Sequence, residues 1–117
     1  MNIVISGSGS FDDYKYFQSM INEHLRHRDK KGIVLVAGDG YGTDSMTNTF
    51  ASRYHYEFKE FLTDKTLSGK RASMQKNMQM LDIADEVIVF WDGRSKGAAH
   101  IIGQSLQRKI KIKVFDI

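Results

Sequence analysis

The chain has 117 residues, 41% of them hydrophobic, and a formal net charge of +3. This length fits one domain, residues 1–117, and is too short for two ordinary ones. The absence of cysteine excludes a disulfide framework, a thiolate metal site and a cysteine nucleophile. No apolar run approaches the roughly 20 residues that cross a bilayer, and the N-terminus lacks the regions of a signal peptide. We therefore expect a cytoplasmic protein without a membrane partner.

The first half of the chain predicts three strands with two helices between them. Ile3–Ile5 and Ile33–Ala37 are continuous apolar runs rich in β-branched residues, which is typical of central parallel strands. Tyr56–Lys59 alternates instead, as expected of an edge strand. Apolar residues at three- and four-residue spacing predict the two amphipathic helices, through Tyr14, Phe17, Ile21 and Leu25 and through Met46, Phe50 and Tyr54.

The second half predicts two more helices and two more strands. Val87–Trp91 has the composition of a buried strand, and Ile110–Val114 alternates with lysine like an edge strand. The helix before each strand has an apolar stripe, and we expect the methionines to fill the core. The stripes are Met74, Met78, Leu81 and Ala84 in the third helix, and Ala98, Ile101, Ser105 and Arg108, with Ile102 and Leu106 beside them, in the fourth.

This alternation of strands and helices predicts an α/β fold, a single three-layer Rossmann-like domain with a five-stranded parallel sheet. Right-handed crossovers and three central strands leave few arrangements, of which the simplest is the order 3-2-1-4-5. The chain then changes direction between strands 1 and 4. In open α/β sheets the ligand crevice lies at such a point, outside the carboxyl ends of the strands.

Three glycine-rich loops follow the three central strands: Ser6–Asp12, Gly38–Asp44 and Asp92–Ala98. Glycine lets the backbone approach a ligand closely, and each loop opens a helix whose first amides have no partner within the helix. Free amides and the positive end of the helix dipole favour an anion. The predicted ligand-binding residues in these loops are Gly7, Ser8, Gly9, Ser10, Gly38, Asp39, Gly40, Gly42, Thr43, Asp44, Trp91, Asp92, Gly93, Arg94, Ser95, Lys96 and Gly97.

Several of these side chains have a structural alternative. Trp91 could stack on a base or belong to the core, and Asp44 could bind a ligand hydroxyl or cap its helix. Asp39 and Asp92 suit turns for local reasons, and Arg94, with its neighbour Lys96, could hold a phosphate. His24, His27 and His55 are predicted at the surface and His100 near the third loop, and no residue set predicts a metal site, a P-loop or a catalytic triad.

Four stretches together match a known pattern. Ala84–Gly97, with the run Phe-Trp-Asp-Gly-Arg-Ser-Lys-Gly, is the most distinctive, and Gly38–Asp44 matches a glycine-rich turn. Gly7–Gly9 occupies the position where the pattern has Gly-Ser-Arg, and Lys76-Asn77 occupies that of Arg-Asn. A lysine there lacks the two parallel hydrogen-bond donors of an arginine guanidinium. On these residues the chain resembles, over essentially its whole length, the SLOG superfamily of Smf/DprA and Lonely-guy proteins. Its small YspA-like branch is the nearest.

The resemblance implies a nucleotide-binding fold and adds Lys76 and Asn77 to the predicted site. Lonely-guy enzymes release a base from a nucleoside monophosphate with an arginine and a glutamate. Lys76 aligns with the arginine of these enzymes, and His100 lies near the position of their glutamate. This chain therefore has neither of the two catalytic residue types at the matching position. Other relatives are sensor domains for nucleotide signals, and the superfamily commonly pairs through its helices.

We therefore expect a protein that binds a nucleotide or a nucleotide-derived signal, for example an ADP-ribose derivative or a cyclic nucleotide. It would act as a sensor or as a sequestering protein. A phage protein that binds and so removes a host defence signal would be one example of the second role. The alternatives are a nucleotide N-glycosidic hydrolase using Asp44 or Asp92, and a nucleic-acid-binding module, for which a net charge of +3 is thin support. We expect no cofactor, no catalytic residue and a homodimer or higher homo-oligomer, with Phe61, Leu62 and the third helix as contact candidates.

Overall fold

The computed structural model describes all of residues 1–117. Strands and helices alternate along the chain, with one short 3-10 turn at Lys30–Gly32. The strands are β1 (Asn2–Gly7), β2 (Val34–Gly38), β3 (Glu57–Phe61), β4 (Glu86–Trp91) and β5 (Lys111–Asp116). The helices are α1 (Tyr14–Leu25), α2 (Thr43–Tyr54), α3 (Gly69–Ile83) and α4 (Lys96–Gln107).

The five strands form one parallel sheet in the order β3-β2-β1-β4-β5, which confirms the predicted fold class and strand order. Val4 in β1 lies opposite Val36 in β2 and Val87 in β4, so the three central strands share one register. The alternating strands β3 and β5 lie at the two edges, as predicted. The change of direction therefore lies between β1 and β4.

A hydrophobic core lies on each face of the sheet. Phe17 of α1 packs with Ile5 in one cluster, whereas Ile101 of α4 packs with Val4 in the other. Because successive side chains of a strand point to opposite faces, α1 and α2 cover one face and α3 and α4 cover the other. Full burial of a large apolar side chain contributes about 1.5–3 kcal/mol. No helix has the length and apolar character needed to span a membrane.

The helix α3 buries only part of the apolar stripe that its sequence predicts. Met74 is 41% exposed, Met78 is half-buried, and Ala84 lies beyond the end of the helix. The prediction that the methionines fill the core is therefore wrong for Met74, whereas Met80 and Leu81 are buried and Ala84 packs against the core. The buried residues of α3 are Ala72, Asn77, Met80 and Leu81.

The prediction that His24 lies at the surface is wrong as well. Its Nε2 lies 2.6 Å from Oε1 of Glu86, a residue at the start of β4 that is only 1% exposed. Arg28 donates from Nη1 to the other carboxylate oxygen at 2.6 Å. This cluster joins the end of α1 to the amino end of the sheet, whereas His27 and His55 are exposed as predicted.

Candidate functional site

The first two glycine-rich loops pack against one another. Gly42 has a φ of +65°, and a Cβ there would lie 2.5 Å from the carbonyl oxygen of Gly9. The Thr43 hydroxyl donates to the Ser8 carbonyl oxygen at 3.1 Å. A Cβ on Gly7 would lie 2.4 Å from the carbonyl oxygen of Phe90. These glycines therefore allow one segment of the chain to approach another.

The amino end of α1 begins with two aspartates, and one of them caps the helix. The Asp13 carboxylate accepts from the amide of Tyr16 at 3.1 Å and so caps the helix. A cavity of about 460 Å³ beside this end is lined by Asp12, Asp92 and Asp116 as well as Asp13. This acidic lining disfavours an anion beside the first loop, in contrast to what its glycines predict.

The third loop is organised by its own aspartate. Asp92 Oδ1 accepts from the amides of Arg94 and Ser95, both at 2.8 Å, and these bonds hold the pKa of the carboxyl below its usual range. Gly93 follows with a φ of +79°, a conformation that favours glycine. Trp91 is half-buried at the edge of the core and donates from Nε1 to the Ser95 carbonyl oxygen at 3.1 Å. Asp92 therefore stabilises its own turn, which is the local role that aspartates have in turns.

Asp39 joins the second loop to the loop after β3. Its carboxylate accepts from the amide and the hydroxyl of Thr63, at 2.9 and 2.6 Å, and from Lys76 Nζ at 3.0 Å. These hydrogen bonds, those from Thr63 foremost, hold the pKa of Asp39 well below its usual range. The Lys76 charge is therefore already paired within the chain. Thr63 was missed by the sequence reasoning, because its link to Asp39 spans 24 positions.

Asp44 turns its carboxylate back into the second loop. Oδ2 accepts from the Gly40 amide at 3.0 Å, and a Cβ on Gly38 would lie 2.7 Å from the same oxygen. Burial raises the pKa of Asp44, although the backbone bonds and nearby Lys76 oppose that shift. This carboxylate interacts with its own loop, and Gly38 leaves room for it.

A second cavity, of about 440 Å³, lies between the amino ends of α3 and α4, on the sheet face that these two helices cover. We call it the α3–α4 cleft. No carboxylate lines it, and both helices start without an acidic residue in the first turn. Its lining residues are Gly69, Lys70, Ser73, Met74, Asn77, Lys96, Gly97 and His100.

Both helix starts in the α3–α4 cleft leave amides unpaired. Ser68 makes no side-chain capping bond to α3, whereas Ser95 caps only the Ala98 amide of α4, at 3.4 Å. A Cβ on Gly69 or Gly97 would meet no atom of the chain within 4 Å. Packing within the chain therefore does not require glycine at either position, in contrast to Gly7 and Gly42.

The α3–α4 cleft contains three of the predicted site residues, namely Asn77, Lys96 and Gly97. Most of the others interact with the chain itself in the loops described above. The α3 side, with Gly69 and Lys70, was missed. A signal for it does exist in the sequence, because Ser-Gly-Lys-Arg begins α3 with cations at a helix end that ordinarily favours acids.

Comparison of the chain with protein-family models and with curated proteins finds no match. The resemblance to the SLOG superfamily therefore stays a prediction.

Proposed function

We propose that the protein binds a phosphorylated nucleotide or nucleotide-derived molecule in the α3–α4 cleft, as a sensor or a sequestering protein. The observation that carries this proposal is the uncompensated positive character of the cleft. Two helix amino ends, Lys70 and Lys96 converge there, and no carboxylate lines it. A phosphate group satisfies free amides, helix dipoles and ammonium groups at once.

The shape of the cleft also supports a small-molecule ligand. Its volume of about 440 Å³ lies within the range typical of small-molecule sites. Met74 is 41% exposed there and offers a polarizable apolar wall to a base or a sugar. Gly69 and Gly97 let a ligand approach the backbone at each helix start.

The same geometry favours binding over cleavage of an N-glycosidic bond. Such cleavage builds positive charge on the sugar, and an enzyme opposes that charge with a carboxylate. The α3–α4 cleft has none, since Asp44 and Asp92 are hydrogen-bonded within their own loops and Asp39 accepts from Thr63 and Lys76. We therefore expect binding without turnover.

Calorimetric titration with AMP, NAD and ADP-ribose, beside uncharged adenosine, tests this proposal. We expect at least one phosphorylated ligand to bind and adenosine to bind more weakly. At 100 times its dissociation constant, a ligand stabilises the fold by about 2.7 kcal/mol. The double variant K70A/K96A should lose at least tenfold in affinity. Lys111→Ala, an exposed lysine at the start of β5, is the matched control and should bind like the wild type.

Chromatography of the incubated ligands separates a binder from an enzyme. We expect AMP, NAD and ADP-ribose to remain intact. Steady release of free base or ribose phosphate, abolished by Asp44→Asn or Asp92→Asn, would show that the protein is a hydrolase. Equal affinity of the K70A/K96A variant and the wild type would show that the α3–α4 cleft is not the site.

We also propose that the protein forms a homodimer through the outward face of α4. No charged residue occurs from Gly97 to Gln107, although Ala99, Gly103 and Leu106 on that face are exposed. Leu106 is 62% exposed. Two copies related by a twofold axis would present the same uncharged surface to each other, without like-charge repulsion.

A further inference from the structure

The buried side chain of Asn77 links the two helices of the α3–α4 cleft. Asn77 is 7% exposed, and its amide nitrogen Nδ2 donates to the carbonyl oxygen of Gly97 at 3.4 Å. The same nitrogen lies 3.2 Å from Nδ1 of His100. His100 is half-buried in the second turn of α4 and lines the cleft.

The carbonyl oxygen of Gly97 decides the orientation of the Asn77 amide. A carbonyl only accepts hydrogen bonds, so the group that faces it must be the NH₂ of the amide. The opposite orientation would place two oxygens against each other. The Asn77 NH₂ therefore also faces His100 Nδ1, and this ring nitrogen must accept. Because a neutral imidazole carries one proton, that proton resides on Nε2.

We propose that Asn77 is a positioning residue that holds His100 as the neutral Nε2–H tautomer, and that Nε2–H donates to the ligand of the α3–α4 cleft. The only hydrogen-bond partner of the His100 ring within the chain is Asn77, at Nδ1, so Nε2 is left for a ligand. This inference rests on the proposed function and narrows its ligand class. Lys70 and Lys96 attract the phosphate, whereas His100 adds an uncharged, directional donor. The ligand therefore combines a phosphate with a separate hydrogen-bond acceptor on its sugar or base.

Two readouts test the inference independently of each other. Long-range proton–nitrogen correlation spectra of the ligand-free protein report the tautomer of His100, and we expect a proton on Nε2. In the Asn77→Asp variant a carboxylate replaces the donor, so a proton on Nδ1 becomes favoured. We expect the Nδ1 resonance of His100 to move from the unprotonated to the protonated range. The tautomer of the wild type is the decisive readout, because a role of Asn77 in packing alone would leave the His100 proton free to reside on either ring nitrogen.

The ligand contact is tested by titration of ADP-ribose into two variants of His100. A glutamine amide reaches the position of Nε2 and can donate there, whereas an asparagine amide reaches only that of Nδ1. We expect His100→Gln to bind within about threefold of the wild type and His100→Asn to bind at least tenfold more weakly. Pyrophosphate, which has no sugar or base, should bind both variants equally.

Each outcome has one meaning. A proton on Nδ1 in the ligand-free wild type overturns the positioning role, whatever the titrations show. Equal ADP-ribose affinity of the wild type and His100→Asn overturns the contact and leaves the proposed function standing. If AMP or NAD binds and ADP-ribose does not, the two His100 variants are titrated with the nucleotide that binds, and equal affinities of the wild type and His100→Asn again overturn the contact. Failure to bind any of these nucleotides overturns the proposed function, and the ligand contact with it.

Discussion

At the scale of single residues, Gly7 and Gly97 have opposite environments. A Cβ on Gly7 would lie 2.4 Å from the carbonyl oxygen of Phe90, whereas one on Gly97 would meet no atom of the chain. We expect Gly7→Ala to cost about 1–3 kcal/mol, as overpacking does. Gly97→Ala should instead stabilise the ligand-free fold by up to about 1 kcal/mol through helix propensity, and weaken ADP-ribose binding at least tenfold.

Urea unfolding and calorimetric titration of both variants check this contrast. Equal stabilities of the two variants would contradict the steric reading of Gly7. Unchanged affinity of Gly97→Ala would contradict a ligand close to the α4 backbone. Loss of ligand binding in a Gly7 variant would therefore not by itself identify a ligand contact, because Gly7 is enclosed by Phe90 and Thr43.

Glu86 makes the stability of the fold dependent on acid pH. Burial opposes its ionisation, but hydrogen bonds from Arg28 and His24 outweigh burial and lower the pKa of Glu86 below its ordinary value of 4.5. The stabilisation is complete above that value and is lost as the pH falls through the lower pKa of the folded state. We expect Glu86→Gln to lose about 2–3 kcal/mol at pH 7, less than in a fully buried pair because Arg28 is 26% exposed.

Urea unfolding of the wild type and Glu86→Gln at pH 7 and at pH 3 tests this dependence. The difference in unfolding free energy between the two proteins should shrink as the pH is lowered below 4.5 and through the pKa of the folded wild type, because its carboxyl then takes up a proton. A difference that stays constant between the two pH values would show that ionisation of Glu86 contributes nothing to stability.

At the scale of elements, the start of α3 trades stability against ligand binding. An acid in the first turn of a helix contributes about 0.3–1 kcal/mol through the helix dipole. Lys70→Glu and Arg71→Glu both add one there, but only Lys70 lines the α3–α4 cleft. We expect both variants to melt above the wild type without ligand. Lys70→Glu should lose ADP-ribose binding at least tenfold, and Arg71→Glu should bind within about threefold of the wild type.

Thermal unfolding without ligand and titration with ADP-ribose measure the two effects. Equal losses of affinity in Lys70→Glu and Arg71→Glu would indicate a general field effect rather than a contact in the α3–α4 cleft. Melting of either variant below the wild type would show that its lysine or arginine has a structural partner.

The three central strands were predictable because burial on both faces leaves a continuous apolar run, and the two edge strands because apolar and polar residues alternate in them. Their ends were less so: β2 begins at Val34 and β5 continues to Asp116, since pairing with a neighbouring strand decides the ends. The phase of α3 was not predictable, because Asn77 is buried by its bonds to α4 while Met74 faces the cleft. Those bonds span at least 20 positions of the chain.

The glycine-rich loops were found in the sequence, but their roles were not. A glycine is needed equally where chain approaches chain, as at Gly42, and where a ligand approaches the backbone. The three-dimensional neighbours separate the two cases. The cleft itself depends on α3 and α4 lying side by side on one face of the sheet. They do so because α3 connects the edge strand β3 to β4, on the other side of β1, where it meets α4.

At the scale of the whole molecule, charge is divided across the carboxyl end of the sheet. Aspartates line the cavity beside α1, whereas Lys70 and Lys96 line the α3–α4 cleft. The net charge of +3 conceals this division. This division of charge favours an anion at the α3–α4 cleft and disfavours one at the cavity beside α1.

The outward face of α4 yields the last prediction, which concerns association of whole molecules. A glycine within a helix costs about 1 kcal/mol relative to alanine, yet a Cβ on Gly103 would meet no atom of the chain. Gly103 and Ala99 allow a second helix to approach closely, and exposed Leu106 would be covered by it. We expect light scattering to show a dimer at high micromolar concentration and Leu106→Lys to be monomeric, because two lysines would face each other across the twofold axis. Asn48→Lys, which adds the same charge on exposed α2, should remain dimeric. A wild-type monomer at that concentration, or dimeric Leu106→Lys, would exclude this interface.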